Sequence, residues 1–252
     1  METFFTGDVV KEPFVTFSLT HLVTLLVLAF INTFLILWFR NSKNPKALDR
    51  FGTGLGILLL LNEAFYLLWS AASGSWSLEY SLPLQLCDVA TLLAGFMLLR
   101  SHYPTFEIVY FLGLGGSLQA LLTPDLAYPF PHVIFFNFFM GHGAILTAIF
   151  FTILVKGYRP TLKSIGRTFV FTNLYMIFVA IINVLTHGNY MFICSKPESA
   201  SIIDFLGSWP WYVLSLEGVA LAIFLLCYLP YGIRDWRKAK LKIENGELRI
   251  EN

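Results

Sequence analysis

Charge is what this sequence has least of. Asp, Glu, Lys and Arg make up 13% of the chain, about half the share found in soluble domains, and the net charge is +1. No basic patch interleaved with aromatics stands out, so nucleic acid is not an expected partner. Cysteine is nearly missing as well. Cys87, Cys194 and Cys227 are the only three, and an odd, sparse count excludes a disulfide framework. Histidines and carboxylates nowhere take HxxxH or ExxH spacing, so no metal site and no cofactor are expected. There is no repeat of fixed period and no low-complexity tract. Residues 1–16 mix polar and aromatic types with no small-residue cleavage site, so a cleavable signal peptide is not expected.

What the chain does have is apolar length. Of its 252 residues 56% are hydrophobic and 17% aromatic. Seven runs stand out: Phe17–Phe39, Phe51–Ala72, Leu82–Leu99, Phe106–Leu122, His132–Val155, Gly166–Thr186 and Pro210–Leu229. A bilayer crossing takes about 17–25 residues, and a lone helix satisfies its own backbone in lipid. The expected fold is therefore an all-α polytopic membrane bundle of seven transmembrane helices over residues 1–231, followed by a polar cytoplasmic tail over 232–252. The third and fourth runs are the shortest and carry the most polar interruptions.

Orientation follows from the basic residues. Arg40, Lys43, Lys46 and Arg50 lie in the first connection, Arg100 in the third, and Lys156, Arg159, Lys163 and Arg167 in the fifth. With the tail, this side holds fifteen of the seventeen Lys and Arg, leaving only Lys11 and Lys196 opposite. The N-terminus is expected outside and the C-terminus in the cytoplasm. On the outer side Trp76, Tyr80, Tyr128, Tyr190, Trp209, Trp211 and Tyr212 read as an anchoring aromatic belt.

Polar groups inside the runs are costly and need a reason. At a rise of about 1.5 Å per residue, Cys87 lies about 7 Å and His142 and Glu63 about 14 Å below the outer ends of their helices. Gln119, Asn137 and Asn183 come at about 5–8 Å and Glu217 at about 10 Å, while Glu107 and Asn173 lie deeper. A set of such depths implies a polar cavity in the outer half of the membrane. For a single Asn or Gln the ordinary explanation is interhelical hydrogen bonding worth about 0.6 kcal/mol. Glu63, Asp88 and Glu217 need partners or protonation, and buried carboxylates also mark transport paths.

Cys87 and His142 form the most suggestive pair. Cys87 follows Pro83-Leu-Gln-Leu near a helix start, where the helix dipole favours a thiolate, and His142 sits between Gly141 and Gly143, which admit close neighbours. A thiol with an imidazole base is the minimal arrangement for nucleophilic acyl transfer. Cys194 and Cys227 read as small hydrophobes, His132 and His187 as interfacial, and His21 has no partner evident in sequence. The seventh run contains no lysine for a retinal Schiff base.

Three segments carry a family resemblance. Asn189-Tyr-Met-Phe-Ile-Cys-Ser-Lys-Pro197, Asp204-Phe-Leu-Gly-Ser-Trp-Pro-Trp-Tyr212 with Leu214-Ser-Leu-Glu217, and Leu82-Pro-Leu-Gln-Leu-Cys-Asp88 with downstream His142 are similar to signatures of the YwaF-type bacterial integral membrane proteins. The resemblance covers nearly the whole chain except the tail. That family is classed with eukaryotic multi-pass phospholipid acyltransferases that use a membrane-embedded Cys and His. It thus implies Cys87 as acyl-accepting nucleophile, His142 as base, a lysophospholipid and a phospholipid acyl donor as partners, and a bacterial plasma membrane as location. Gln85 stands where the resemblance leads one to expect a basic residue, often His. Asp88 or Glu63 would orient the imidazole, and Gln85, Asn137 or Gln119 would stabilise an oxyanion. The competing expectations are a transporter or small-molecule-binding protein built on Glu63, Asp88 and Glu217, and a non-catalytic scaffold.

Overall fold

The computed structural model describes residues 2–7, 14–196 and 205–244. Lys11, Pro197 and Asp204, which entered the readings above, and residues 245–252 of the expected tail lie outside the described residues. Every regular element among the described residues is helical: α1 (Glu2–Phe5), α2 (Leu19–Arg40), α3 (Pro45–Ala72), α4 (Leu86–Arg100), α5 (Tyr103–Leu122), α6 (Val133–Leu154), α7 (Leu162–Thr186), a 3-10 turn (Tyr190–Phe192) and α8 (Trp211–Glu244).

Local chemistry sets where the helices begin and end. Ser18 caps α2 by accepting from the His21 N–H, and Asn44 caps α3 with Pro45 at its first position. Thr161 and Ser164 bond reciprocally across the first turn of α7, so donors that a helix start leaves free are satisfied. Ser101 and His187 end α4 and α7 in the left-handed conformation. α8 runs through residue 232 without a break, so the start of the expected tail continues the last apolar helix.

Among the described residues six helices are long and apolar enough to cross a membrane: α2, α3, α5, α6, α7 and α8. α4, with 15 residues, is shorter. It starts at Leu86 rather than Leu82, because Pro83 and the hydrogen bonds on residues 82–85 keep that stretch out of the helix. It nevertheless links the two ends of the bundle. Its last residues lead to Ser101, which meets Lys156 and Tyr158 of the α6–α7 connection, while the segment before it meets Tyr190 of the α7–α8 connection.

The core lies where α3, α4, α5 and α6 meet, around Leu59, Ala94, Phe111, Ile145 and Ile149, all fully buried. Small residues let α3 and α4 approach: a Cβ on Gly56 would meet the Gly95 carbonyl oxygen at 3.1 Å, and one on Gly95 would meet Leu60 at 2.8 Å. This is the close packing that membrane helices use when no hydrophobic drive distinguishes lipid from protein. The outside is inverted relative to a soluble protein. Phe30 is 71% exposed and Val184 74%, which only an apolar surround makes favourable.

The aromatic belt divides. Trp76, Tyr80, Trp209 and Trp211 are exposed, in keeping with anchoring, but Tyr190 and Tyr212 are wholly buried. Their hydroxyls are spent on backbone carbonyls, Tyr190 on Leu78 and Tyr212 on Phe192. They are internal fasteners rather than interfacial anchors.

A candidate thiol-lined cavity

Cys87 is the second residue of α4, and four groups hold the chain just before it. The Tyr190 hydroxyl accepts from the Leu82 N–H at 2.9 Å. The Tyr175 hydroxyl, from α7, donates to the Leu84 carbonyl at 3.0 Å. The Met191 N–H donates to Gln85 Oε1 at 2.9 Å, and the Gln85 N–H donates to Asp88 Oδ2 at 2.9 Å. Tyr190 is itself clasped by Asn183, whose Oδ1 accepts from its N–H at 2.8 Å and whose Nδ2 donates to its carbonyl at 3.0 Å. Met191 and Phe192 take positive φ of 60° and 52°, a backbone that L side chains rarely adopt. That turn aims the Met191 N–H at Gln85.

Beside this anchored helix start lies a cavity of about 280 Å³ walled by α4, α5, α7, α8 and the turn. Its polar groups are Cys87, Ser117, Gln119, Thr172 and Glu217; the remainder is apolar, including Leu112, Met176, Met191, Ile223 and Phe224. Along α5 it runs from Gln119 to Phe111, about 12 Å at the helical rise. The space beside Gly116 is open: no atom lies within 4 Å of where a Cβ would stand. A mostly apolar cleft with a few polar groups on its wall is the usual form of a small-molecule site.

Three of the nine residues singled out from the sequence line this cavity: Cys87, Gln119 and Glu217. Glu217 accepts from Asn173 Nδ2 at 2.9 Å, joining two residues whose sequence depths had separated them. The others serve different contacts. Asn137 donates to the Asn62 carbonyl at 2.8 Å, tying α6 to α3. Asn183 clasps Tyr190. Gln85 holds Met191 through its carbonyl oxygen. Asp88 caps α4 by accepting from the Gln85 N–H, so the acidic side chain that meets that helix start is a carboxyl rather than the thiol, and a thiol there needs a separate base. Glu63 is buried on α3 and is not among the residues lining the cavity.

His142 is not among the residues lining the cavity. Its Nδ1 lies 2.8 Å from the Phe138 carbonyl. A carbonyl only accepts, so Nδ1 carries the proton and Nε2 holds the lone pair. That Nε2 is buried and has no hydrogen-bond partner. By contrast, His21 and His132 spend both ring nitrogens on backbone. His21 accepts from the Phe17 N–H and donates to the Leu121 carbonyl; His132 accepts from the Ile134 N–H and donates to the Thr6 carbonyl. Ser117, from the cavity wall, resembles His142 in that its buried hydroxyl also lacks a partner. Its helix, α5, packs against both α4 and α6.

Sequence reasoning missed Ser117, Thr172, Tyr175 and Tyr190. A serine or threonine in an apolar helix commonly bonds its own backbone, and Thr172 does so with Thr168. Nothing local set Ser117 apart. For Tyr190 a signal existed: it lies within the Asn189–Pro197 motif, away from the ends of the apolar runs.

All three cysteines are free thiols; Cys194 is exposed and Cys87 and Cys227 are partly enclosed. Among the described residues no group of His, Cys, Asp and Glu is arranged to hold a metal ion. Neither the curated proteins nor the solved structures gave a match to this chain. The family model that does match is that of the TMEM164 family, a multi-pass membrane family, over residues 16–228. With most of the chain covered, including the thiol, the imidazole and the turn that anchors the start of α4, this protein belongs to the TMEM164 family.

Proposed function

We propose that this chain is a membrane-embedded phospholipid acyltransferase in which Cys87 carries the acyl group and His142 moves the protons. The observation that carries the reading is that Cys87 is the one cysteine at a mostly apolar cavity furnished with polar groups. The likeness to YwaF-type proteins and to Cys/His acyltransferases supplies the reaction class. In this reading the chain crosses a bacterial plasma membrane seven times, α4 included, with its N-terminus outside, and substrates come from the outer leaflet.

The Cys87 thiol gives its proton to His142 Nε2, and the sulfur attacks an ester carbonyl of a donor phospholipid. The tetrahedral intermediate collapses by expelling the lysophospholipid alkoxide, which takes the proton back from the imidazolium. A thioester remains on Cys87. A second lysophospholipid then presents its hydroxyl; His142 removes that proton, the oxygen attacks the thioester, and the departing thiolate is reprotonated. The transfer takes a movement of these side chains, because neither His142 Nε2 nor Ser117 Oγ is in hydrogen-bond contact with another group here. Gln119 is the side-chain amide on the cavity wall suited to the oxyanion.

The test is thioester trapping on the full chain in vesicles with a clickable acyl donor. Wild type should take a hydroxylamine-sensitive label and Cys87→Ala none. Equal labelling of both would sink the reading. One observation favours binding or transport instead: Glu217, a carboxylate, faces the same cavity. Loss of ligand uptake in Glu217→Gln, with Cys87→Ala silent, would select that alternative.

A further inference from the structure

A second groove lies away from Cys87 and shares no lining residue with its cavity. It has a volume of about 530 Å³ and is bounded by α2, α5 and α6. On α2 its wall is the stripe Leu25, Ala29, Thr33, Leu37 and Arg40, the spacing of one helical face. The last member of that stripe is a guanidinium. Leu118 and Leu121 of α5 and Phe150 of α6 face it.

The groove has a closed end and an open one. At the outer end His21 Nε2–H donates to the Leu121 carbonyl at 2.8 Å, bolting α2 to α5. Midway, Thr147 of α6 donates to Asn32 Oδ1 and Asn32 Nδ2 donates to the Leu28 carbonyl, so the groove's one amide is satisfied within the bundle. At the basic end Arg40 is exposed and has no acidic partner among the described residues. The connection after it adds Lys43, and the first turns of α3 add Lys46 and Arg50, while the carboxylate beside them, Asp49, pairs with Lys156 at 3.6 Å.

We infer that this groove binds one anionic glycerophospholipid from the leaflet at the basic end, with its phosphate on Arg40 and one acyl chain lying along α2 toward His21. From Leu25 to Arg40 is about 22 Å at the helical rise, most of the roughly 30 Å hydrocarbon thickness. A void at that depth is filled by lipid tails. The surplus of positive charge where the headgroup sits disfavours a headgroup bearing its own ammonium. Such a lipid would bind α2 to the bundle, for α2 otherwise packs mainly on α6.

The full chain, purified in detergent and titrated with phosphatidylglycerol or phosphatidylcholine, tests this by native mass spectrometry. Wild type should retain a single phosphatidylglycerol in preference to phosphatidylcholine. Arg40→Gln should weaken that retention about fivefold, as expected for one basic residue at an anionic surface, and Arg40→Lys should restore most of it. Ala29→Trp and Leu118→Trp, which fill the groove from opposite walls, should abolish it. Equal retention of the two lipids, or full retention by Arg40→Gln or by both tryptophan variants, overturns the assignment in favour of nonspecific annular lipid.

Discussion

The two ends of this bundle handle polar residues in opposite ways. At the basic end Glu107 is 1% exposed yet fully engaged: it accepts from Arg167 Nη1 at 2.6 Å and from the Ser164 hydroxyl, and its carbonyl accepts from Thr168. Arg159 meets Asp235 at 2.6 Å, and Lys156 meets Asp49 and Ser101. The only unpartnered buried atom among these groups is Arg159 Nε, on a side chain whose Nη2 is paired. In the other half of the bundle Ser117 Oγ, His142 Nε2 and Asn62 Oδ1 are all buried without partners. An unmet buried polar group costs about 1–3 kcal/mol. The basic end is where ion pairs fasten the helices, and the other half is where buried polar atoms stand unpaired.

The sharpest way to break this contrast is His142→Gln. The amide fills much the same space and offers no base. Trapping of acyl groups on Cys87 should slow about 10²–10⁴-fold, the usual contribution of a positioned general base, with thermal stability nearly unchanged, because the lost Phe138 contact is one hydrogen bond. A rate within a few-fold of wild type would mean that the free Nε2 is merely a tolerated defect.

How much of this was legible in the sequence depends on the range of the contact. The helices follow from local composition, and among the described residues six of the seven expected spans are long and apolar enough to cross a membrane. Glu107 and Glu217, however, look alike in sequence: each is one carboxylate in an apolar run. Their difference lies in partners 60 and 44 residues away, Arg167 and Asn173. Depth along the helices implied one polar cavity. The bundle instead splits those residues by azimuth: Asn137 faces α3, Asn183 its own following turn, and only Cys87, Gln119 and Glu217 share a wall. Depth along a helix can be counted from a sequence, but azimuth needs the neighbours. Ser117 was missed for the same reason.

On the fastened end the expected effect concerns stability rather than chemistry. Glu107→Ala leaves the buried Ser164 hydroxyl without its carboxylate acceptor, at about 1–3 kcal/mol, and frees Arg167, whose side chain is 60% exposed. The variant should unfold at markedly lower temperature in detergent, while the fraction that remains folded should label on Cys87 at the wild-type rate. A selective loss of labelling with stability intact would place Glu107 in the reaction and erase the division between the ends.

Asn183→Ala is a finer probe, because its residue belongs to the fastening and yet lies in the other half. The substitution removes both hydrogen bonds that clasp Tyr190 and exposes two backbone groups to an apolar interior, at about 1–3 kcal/mol each. Tyr190 holds Leu82, and the next residue of its turn holds Gln85, so the loosening passes directly to the start of α4. The expected outcome is a modest drop in melting temperature, with faster alkylation of Cys87 by a small maleimide and slower acyl trapping. Asn183→Asp should fall between wild type and Asn183→Ala, since it keeps the acceptor for the Tyr190 N–H and loses the donor to its carbonyl. A fall in stability with unchanged Cys87 reactivity would show that the clasp fastens the turn alone. The contact chain from Asn183 through Tyr190 to the thiol would then be packing, and the precision of the Cys87 site would have to come from Tyr175 and Asp88 instead.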